Sequence, residues 1–375
     1  MRINSYGEKP LSTLEMGMTI VSMLVGVGVL TLPRSVATYT SSFDGWMSIL
    51  LAGGIALLAG WLVSKVAVRA GNKNFLDYSV TLVGRPFTYL IAALQFSYFL
   101  GFCSYETRAI ANISKQYLFD RTPVEYISLV FILVVVYGVS GSRSGLLRLN
   151  VLFLPSVLIM IVIVVCFGYR WFEFGNLKPF MITPPIGIAQ GMKEVIYSLL
   201  GFEIILYYIV FMERPEKAPK AVMSGIALTV FIYLVIYQLV IGIFSNIGAM
   251  NIVYPTIELA KEIQFPGNFF ERFESLFFVI WIMTIYNTAA MGFDLANECL
   301  SFLFKRSTKR YRLLIIAPIA YLICMAPGDM SQFATLGNMI SYMAMLSGIL
   351  LPISLLMFGG KKNNKEEKAN DKSGA

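Results

Sequence analysis

Two glycine-centred stretches hold the residues best placed to grip a ligand. In VSMLVGVGVLTLP (residues 21–33), Gly26 and Gly28 interrupt an apolar run near its middle. In VIYSLLGFEIILY (residues 195–207), Gly201 is central and a carboxylate, Glu203, follows two residues on. A helix in lipid must satisfy its own backbone hydrogen bonds, so glycines at that depth suggest places where it opens. Opening near residues 25–29 frees amides at the start of one half-helix, and with the helix dipole these suit an anionic group. The carbonyls that end the other half suit a cation, and a break near residues 200–202 offers the same pair of ends. A zwitterionic amino acid fits this arrangement, its carboxylate at the amides of Gly26, Val27, Gly28 and Val29, its ammonium at the carbonyls of residues 22–25 and 199–202. Glycine also clears room for a ligand to approach the backbone. The plainer alternative is a helix-packing contact. A second break at the corresponding place, Gly201-Phe202-Glu203, tips the reading toward a site.

Glu203 lies near the centre of its span, where an unpaired carboxylate costs roughly 3 kcal/mol or more. Three roles are open to it: attracting a ligand ammonium, acting as a protonatable gate, or accepting the amides freed at the helix break. Tyr98, Thr284 and Asn287, near the middles of their spans, are secondary ligand candidates, and Phe202 could gate the ligand. Glu106 and Arg108 are expected near the outer end of the third span, reaching headgroups or each other. Asp294 and Glu298 are expected at the inner end of the eighth span, solvated.

The elements that must position these residues are membrane helices. Of 375 residues, 57% are hydrophobic and 14% charged, against about 45–50% and about 25% in soluble domains. Ten spans are expected: 12–35, 46–68, 86–110, 124–141, 147–169, 190–211, 221–245, 271–297, 311–327 and 334–358. The first is too long for a signal peptide and lacks a small-residue cleavage site. Histidine is absent, which removes histidine catalysis, histidine metal ligands and a histidine proton relay. The four cysteines, Cys103, Cys166, Cys299 and Cys324, have no metal or disulfide spacing. No enzyme chemistry, cofactor or metal is expected.

The net charge of +8 raises nucleic acid as a partner, and its distribution answers against it. Lys65, Arg69, Lys73 and Arg85 follow span two; Arg143 and Arg148 follow span four; Arg214, Lys217 and Lys220 follow span six; Lys305, Arg306, Lys309, Arg310 and Arg312 follow span eight. By the positive-inside rule both termini are cytoplasmic, and an even span count agrees. Residues 74–84 suggest a short interfacial helix. Residues 255–265 suggest an outer helix over an entrance. Residues 359–375 read as a disordered basic tail with an attraction to anionic lipid. Residues 1–358 then form a single transmembrane domain. Its halves, about 12–169 and 190–358, each hold five spans, so a repeat between them is inverted.

At these residues a family suggests itself. GVGVLTLP (26–33) resembles the first-helix glycine motif of the amino acid–polyamine–organocation permeases, and Gly201-Phe202-Glu203 resembles their sixth-helix motif. More narrowly, the span count, the start LSTLEM (11–16), the FLDY loop (75–78) and the short basic tail resemble the B subunit of bacterial spore germinant receptors. The resemblance implies an all-α, LeuT-like 5+5 inverted-repeat fold with helices 1 and 6 broken. It also implies a nutrient sensor in the spore inner membrane that binds a germinant, commonly an amino acid, and works with A and C subunits. Carried over, the permease site falls on Gly26, Val27, Gly28, Gly201, Phe202 and Glu203. Span five lacks the lysine that imitates sodium in some permeases, and no sodium constellation is evident, which weakens ion-coupled transport. The alternative function is an amino acid transporter working by alternating access; a weaker one is a structural or channel subunit.

Overall fold

The structure is a computed structural model that describes residues 10–71, 74–262 and 273–355. The first rod consists of α1 (Thr13–Leu24) and α2 (Gly28–Ala37), bent by 55° at their junction. Next, α3 (Gly45–Ala70) leads through the short α4 (Phe75–Val83) to α5 (Arg85–Tyr117), α6 (Val124–Ser140) and α7 (Arg143–Gly168). The sixth rod starts as α8 (Pro185–Ser198), breaks, and resumes through a tight turn, Phe202–Ile204, into α9 (Ile205–Tyr208). Then follow α10 (Ala218–Asn251), the short α11 (Pro255–Lys261), α12 (Phe273–Leu303), α13 (Lys309–Met325) and α14 (Met330–Ala344), which continues through a wider π turn, Met345–Leu350.

Seven rods and the bent α1–α2 pair are long and apolar enough to span a membrane. With α6 and α13, of 17 residues each, they account for the ten expected rods among the described residues. A short helix, α4, stands where one is expected at 74–84. The helix expected at 255–265 is α11, which ends at Lys261; residues 263–265 lie outside the described residues, as does the tail. Several boundaries differ from the expectation, among them that of the eighth span, which runs on to Leu303 rather than 297. The third span runs on to Tyr117 rather than 110, and the seventh continues past 245 to Asn251 across a kink at Ser245, whose φ is 59°.

Local chemistry sets the ends and crossings of the first rod. Ser12 and Glu15 form a reciprocal capping box at the start of α1: the Glu15 amide donates to Ser12 Oγ at 3.2 Å, and the Ser12 amide donates to Glu15 Oε2 at 2.6 Å. Small residues let α1 and α10 approach closely, since a Cβ on Gly225 would sit 3.1 Å from the Gly17 carbonyl. The long α5 and α12 lie side by side, and α10 packs on both α1 and α3. The first broken rod thus packs on the long, unbroken run of α10 before its kink.

Candidate functional site

Both glycine stretches break where the sequence suggests. After Leu24 the backbone leaves the helix, with Val25 at φ −91°, ψ 58°, and helical geometry resumes at Gly28. After Ser198 the second rod breaks, and Gly201 adopts φ +127°, a conformation that side-chain-bearing residues rarely take. The two breaks touch: a Cβ on Gly201 would stand 2.9 Å from Met23 Cγ. The Tyr233 hydroxyl, from α10, ties them together. It lies 2.8 Å from the Leu24 carbonyl and 3.0 Å from the Ser198 carbonyl. Its single proton serves one of these or is shared between them.

A cavity of about 660 Å³ opens beside the breaks. Gly26 and Gly28 form part of its wall, together with Ser198 and Leu200 from the second break, Tyr98, Phe102 and Glu106 from α5, and residues along the length of α14. Arg34, near the end of α2, and Tyr39, just beyond it, also border the cavity. Val253 and Tyr254, just before α11, contribute as well, and α11 is pinned to the start of α2 by the Thr256 hydroxyl, which donates to the Val29 carbonyl at 2.8 Å.

Of the sequence candidates, Gly26, Gly28 and Tyr98 line this cavity; the other six lie outside its wall. Val27 is buried. Gly201 makes the turn of the second break. Phe202 is buried toward α3, its ring edge 3.7 Å from where a Cβ on Gly60 would be, and so faces away from the cavity rather than gating it. Glu203 lies behind Tyr98. Its Oε2 accepts the Gly201 amide at 2.8 Å and its Oε1 accepts the Tyr98 hydroxyl at 2.5 Å. The carboxylate therefore caps the break and anchors a cavity-wall tyrosine. Thr284 donates to the Ile280 carbonyl of its own helix. Asn287 reaches Ser22 Oγ at 3.5 Å, and Ser22 in turn donates to Asn150 at 2.9 Å, a polar bridge from α12 through α1 to α7 behind the break.

Two acidic expectations are corrected. Glu106 does not reach headgroups or Arg108. It is 4% exposed and stands at the α1–α2 break, accepting the Thr288 hydroxyl at 3.0 Å and interacting with the Val27 amide. A Cβ on Gly26 would lie 3.2 Å from its Oε2. Arg108 turns instead to the Cys324 carbonyl at 3.3 Å. The reason is length: α5 continues eleven residues past Glu106, so the carboxylate sits about 16 Å inside the helix end. Asp294, expected to be solvated, is 1% exposed. Its Oδ2 pairs with Arg143 Nε at 2.8 Å and accepts the Tyr208 hydroxyl at 3.1 Å. Glu298 joins through Arg143 Nη1 at 3.1 Å.

This second cluster closes the bundle on the side opposite the cavity mouth. The Arg143 guanidinium lies 5.5 Å from the ring centres of Tyr208 and Phe211. Leu11 pairs with the chain just beyond them: its amide donates to the Phe211 carbonyl and its carbonyl accepts the Glu213 amide, each at 2.8 Å. Above it, Tyr207 donates to Gln95 and lies 3.4 Å from Cys299 Sγ.

On the cavity side, the loop before α8 is tied down by Asp44. Its carboxylate accepts the amides of Met181, Ile182 and Thr183 at 2.7, 2.8 and 2.9 Å. Burial pushes the carboxyl upward, and the three amides outweigh it, holding the group below its usual range.

Comparison with known proteins places this geometry. A family described as spore germination protein matches residues 10–333. The chain is 37% identical to spore germination protein GerLB of Bacillus cereus over 359 residues, 95% of this chain and 96% of that one. It is 29% identical to spore germination protein YndE of Bacillus subtilis (strain 168) over 357 residues, 95% and 98% of the two chains. The crystal structure of MhsT in complex with L-phenylalanine superposes with a TM-score of 0.70 at 13% identity, covering 93% of this chain and 90% of that one. That likeness establishes the fold, the LeuT-like one that the two broken helices imply.

Proposed function

The chain belongs to the spore germination protein family, and on that footing we propose that it is the ligand-binding B subunit of a nutrient germinant receptor. A small or medium neutral amino acid occupies the cavity beside the two helix breaks. Its binding shifts the balance between two conformations of the bundle, which A and C subunits read. A ligand can drive such a shift only through different affinities for the two states. In this reading the chain performs no chemistry. It sits in the spore inner membrane with both termini cytoplasmic, the cavity opens to the outer side, and the halves 12–169 and 190–358 are inverted repeats. The observation that carries the reading is a cavity of about 660 Å³ bordered by Gly26 and Gly28 at the first break and Leu200 at the second.

A side chain at position 26 would press on Glu106 and Thr288 at 3.2 Å and project into the space meant for the ligand. Gly26→Leu is expected to abolish the spore's response to its amino acid germinant while the protein stays present in the membrane. An unchanged response would reject the pocket. A second reading, an amino acid transporter, draws on the same asymmetry, a cavity open on one side and sealed on the other, as alternating access requires. Uptake of labelled amino acids by proteoliposomes holding the isolated chain separates the two. Robust accumulation favours transport; binding without accumulation favours the receptor.

A further inference from the structure

We propose that Glu106 is the cation receptor of the cavity: the ligand carries a protonated amine and is held by that nitrogen against the Glu106 carboxylate at the α1–α2 break. This rests on the reading of the cavity as the germinant site and adds the ligand's orientation and chemical class.

Glu106 is 4% exposed and borders the cavity. Among the described residues it takes part in no ion pair; its partners, the Thr288 hydroxyl and the Val27 amide, are neutral. A carboxylate at mid-membrane is tolerated when it faces a cavity or a counter-charge, and here the cavity is where the counter-charge can arrive. The same side chain already occupies the amide end of the break. A ligand carboxylate placed there would meet a like charge, so the pose expected from the sequence is blocked at its anionic end. At its cationic end the Tyr233 hydroxyl already competes for the Leu24 carbonyl. An amino acid therefore enters turned around, with its ammonium at Glu106 and its carboxylate toward the part of the cavity that Arg34 borders. There Arg34 is the one cation among the described lining residues, about 10 Å along the helix from Val27.

The test uses the full-length chain in lipid nanodiscs and a panel of labelled common L-amino acids. The tightest-binding amino acid becomes the probe, and its decarboxylated amine and its deaminated acid become the competitors. The amine is expected to displace the probe and the acid is not. Glu106→Gln keeps the size and the hydrogen-bond acceptor but removes the charge, and should weaken binding by about 30-fold or more; Glu106→Asp should recover part of the loss. Equal displacement by the acid, or wild-type affinity in Glu106→Gln, overturns the inference while leaving the cavity as a ligand site. If no panel member binds the wild-type chain, the cavity reading falls and takes this one with it. The competition arm uses only the wild-type protein, so a variant that fails to fold does not weaken the test.

Discussion

The two ends of the bundle are built on opposite plans. On the cavity side, the described side chains leave about 660 Å³ between α2, α5, α8 and α14, with a buried carboxylate, Glu106, that has no counter-charge. On the opposite side a carboxylate of similar burial, Asp294, is matched by Arg143, which also pairs with Glu298, and accepts the Tyr208 hydroxyl. Both are acids on helices that the sequence shows only as apolar spans. The difference teaches that burial does not assign a role; the partner does. A matched acid locks helices together, whereas an unmatched one beside a cavity waits for a partner from outside.

That contrast can be broken from the sealed side first. Asp294→Ala removes the more deeply buried partner of Arg143 and leaves the guanidinium with the part-exposed Glu298 alone. Removing one member of a buried ion pair costs about 3–5 kcal/mol when the other is left uncompensated; with Glu298 still bound and Arg143 20% exposed, the loss falls at the low end of that range or below it. Thermal unfolding of the purified protein should show a clear loss of stability, far larger than that of Glu106→Gln. Equal losses would erase the distinction between lock and ligand site.

A smaller effect is expected at the mouth. Asp44→Asn loosens the loop at residues 181–183, with a cost of about 1 kcal/mol at neutral pH. The Asp44 carboxyl is held below its ordinary value, so its contribution is present above about pH 4 and is lost as pH falls through the depressed value. Wild type and variant should therefore converge in stability below about pH 4. A gap that persists unchanged into that range would show that the Asp44 charge is not what holds the loop.

Much of the fold was legible in the sequence. Apolar runs of membrane length give the rods, and Gly26, Gly28 and Gly201 give the breaks, because a glycine at mid-span is a local signal with a local consequence. The acids were harder to place. Reading Glu106 correctly required knowing that α5 runs to Tyr117, and helix ends are the part of a periodic pattern that fixes least. Reading Asp294 required bringing Arg143, 151 residues away, to its side, which no local pattern reveals. Tyr233 was invisible for the same reason. It lies on a different rod from either break, and nothing in its neighbourhood distinguishes it from the other tyrosines. One signal was available for Glu106: an acid inside an apolar run needs a reason, and the argument applied to Glu203 holds equally eleven residues from a helix end.

The central claim is that the cavity reaches the breaks from one side only. It is tested by reaction with a water-soluble thiol reagent in nanodiscs, in a background where the exposed Cys166 is replaced by serine. A cysteine at position 198, in the cavity wall, should react quickly, whereas Cys299, beneath the breaks against Tyr207, should stay unreacted. Labelling of Cys299 as fast as position 198 would contradict the account, because the lock formed by Arg143 and Asp294 would then be no barrier.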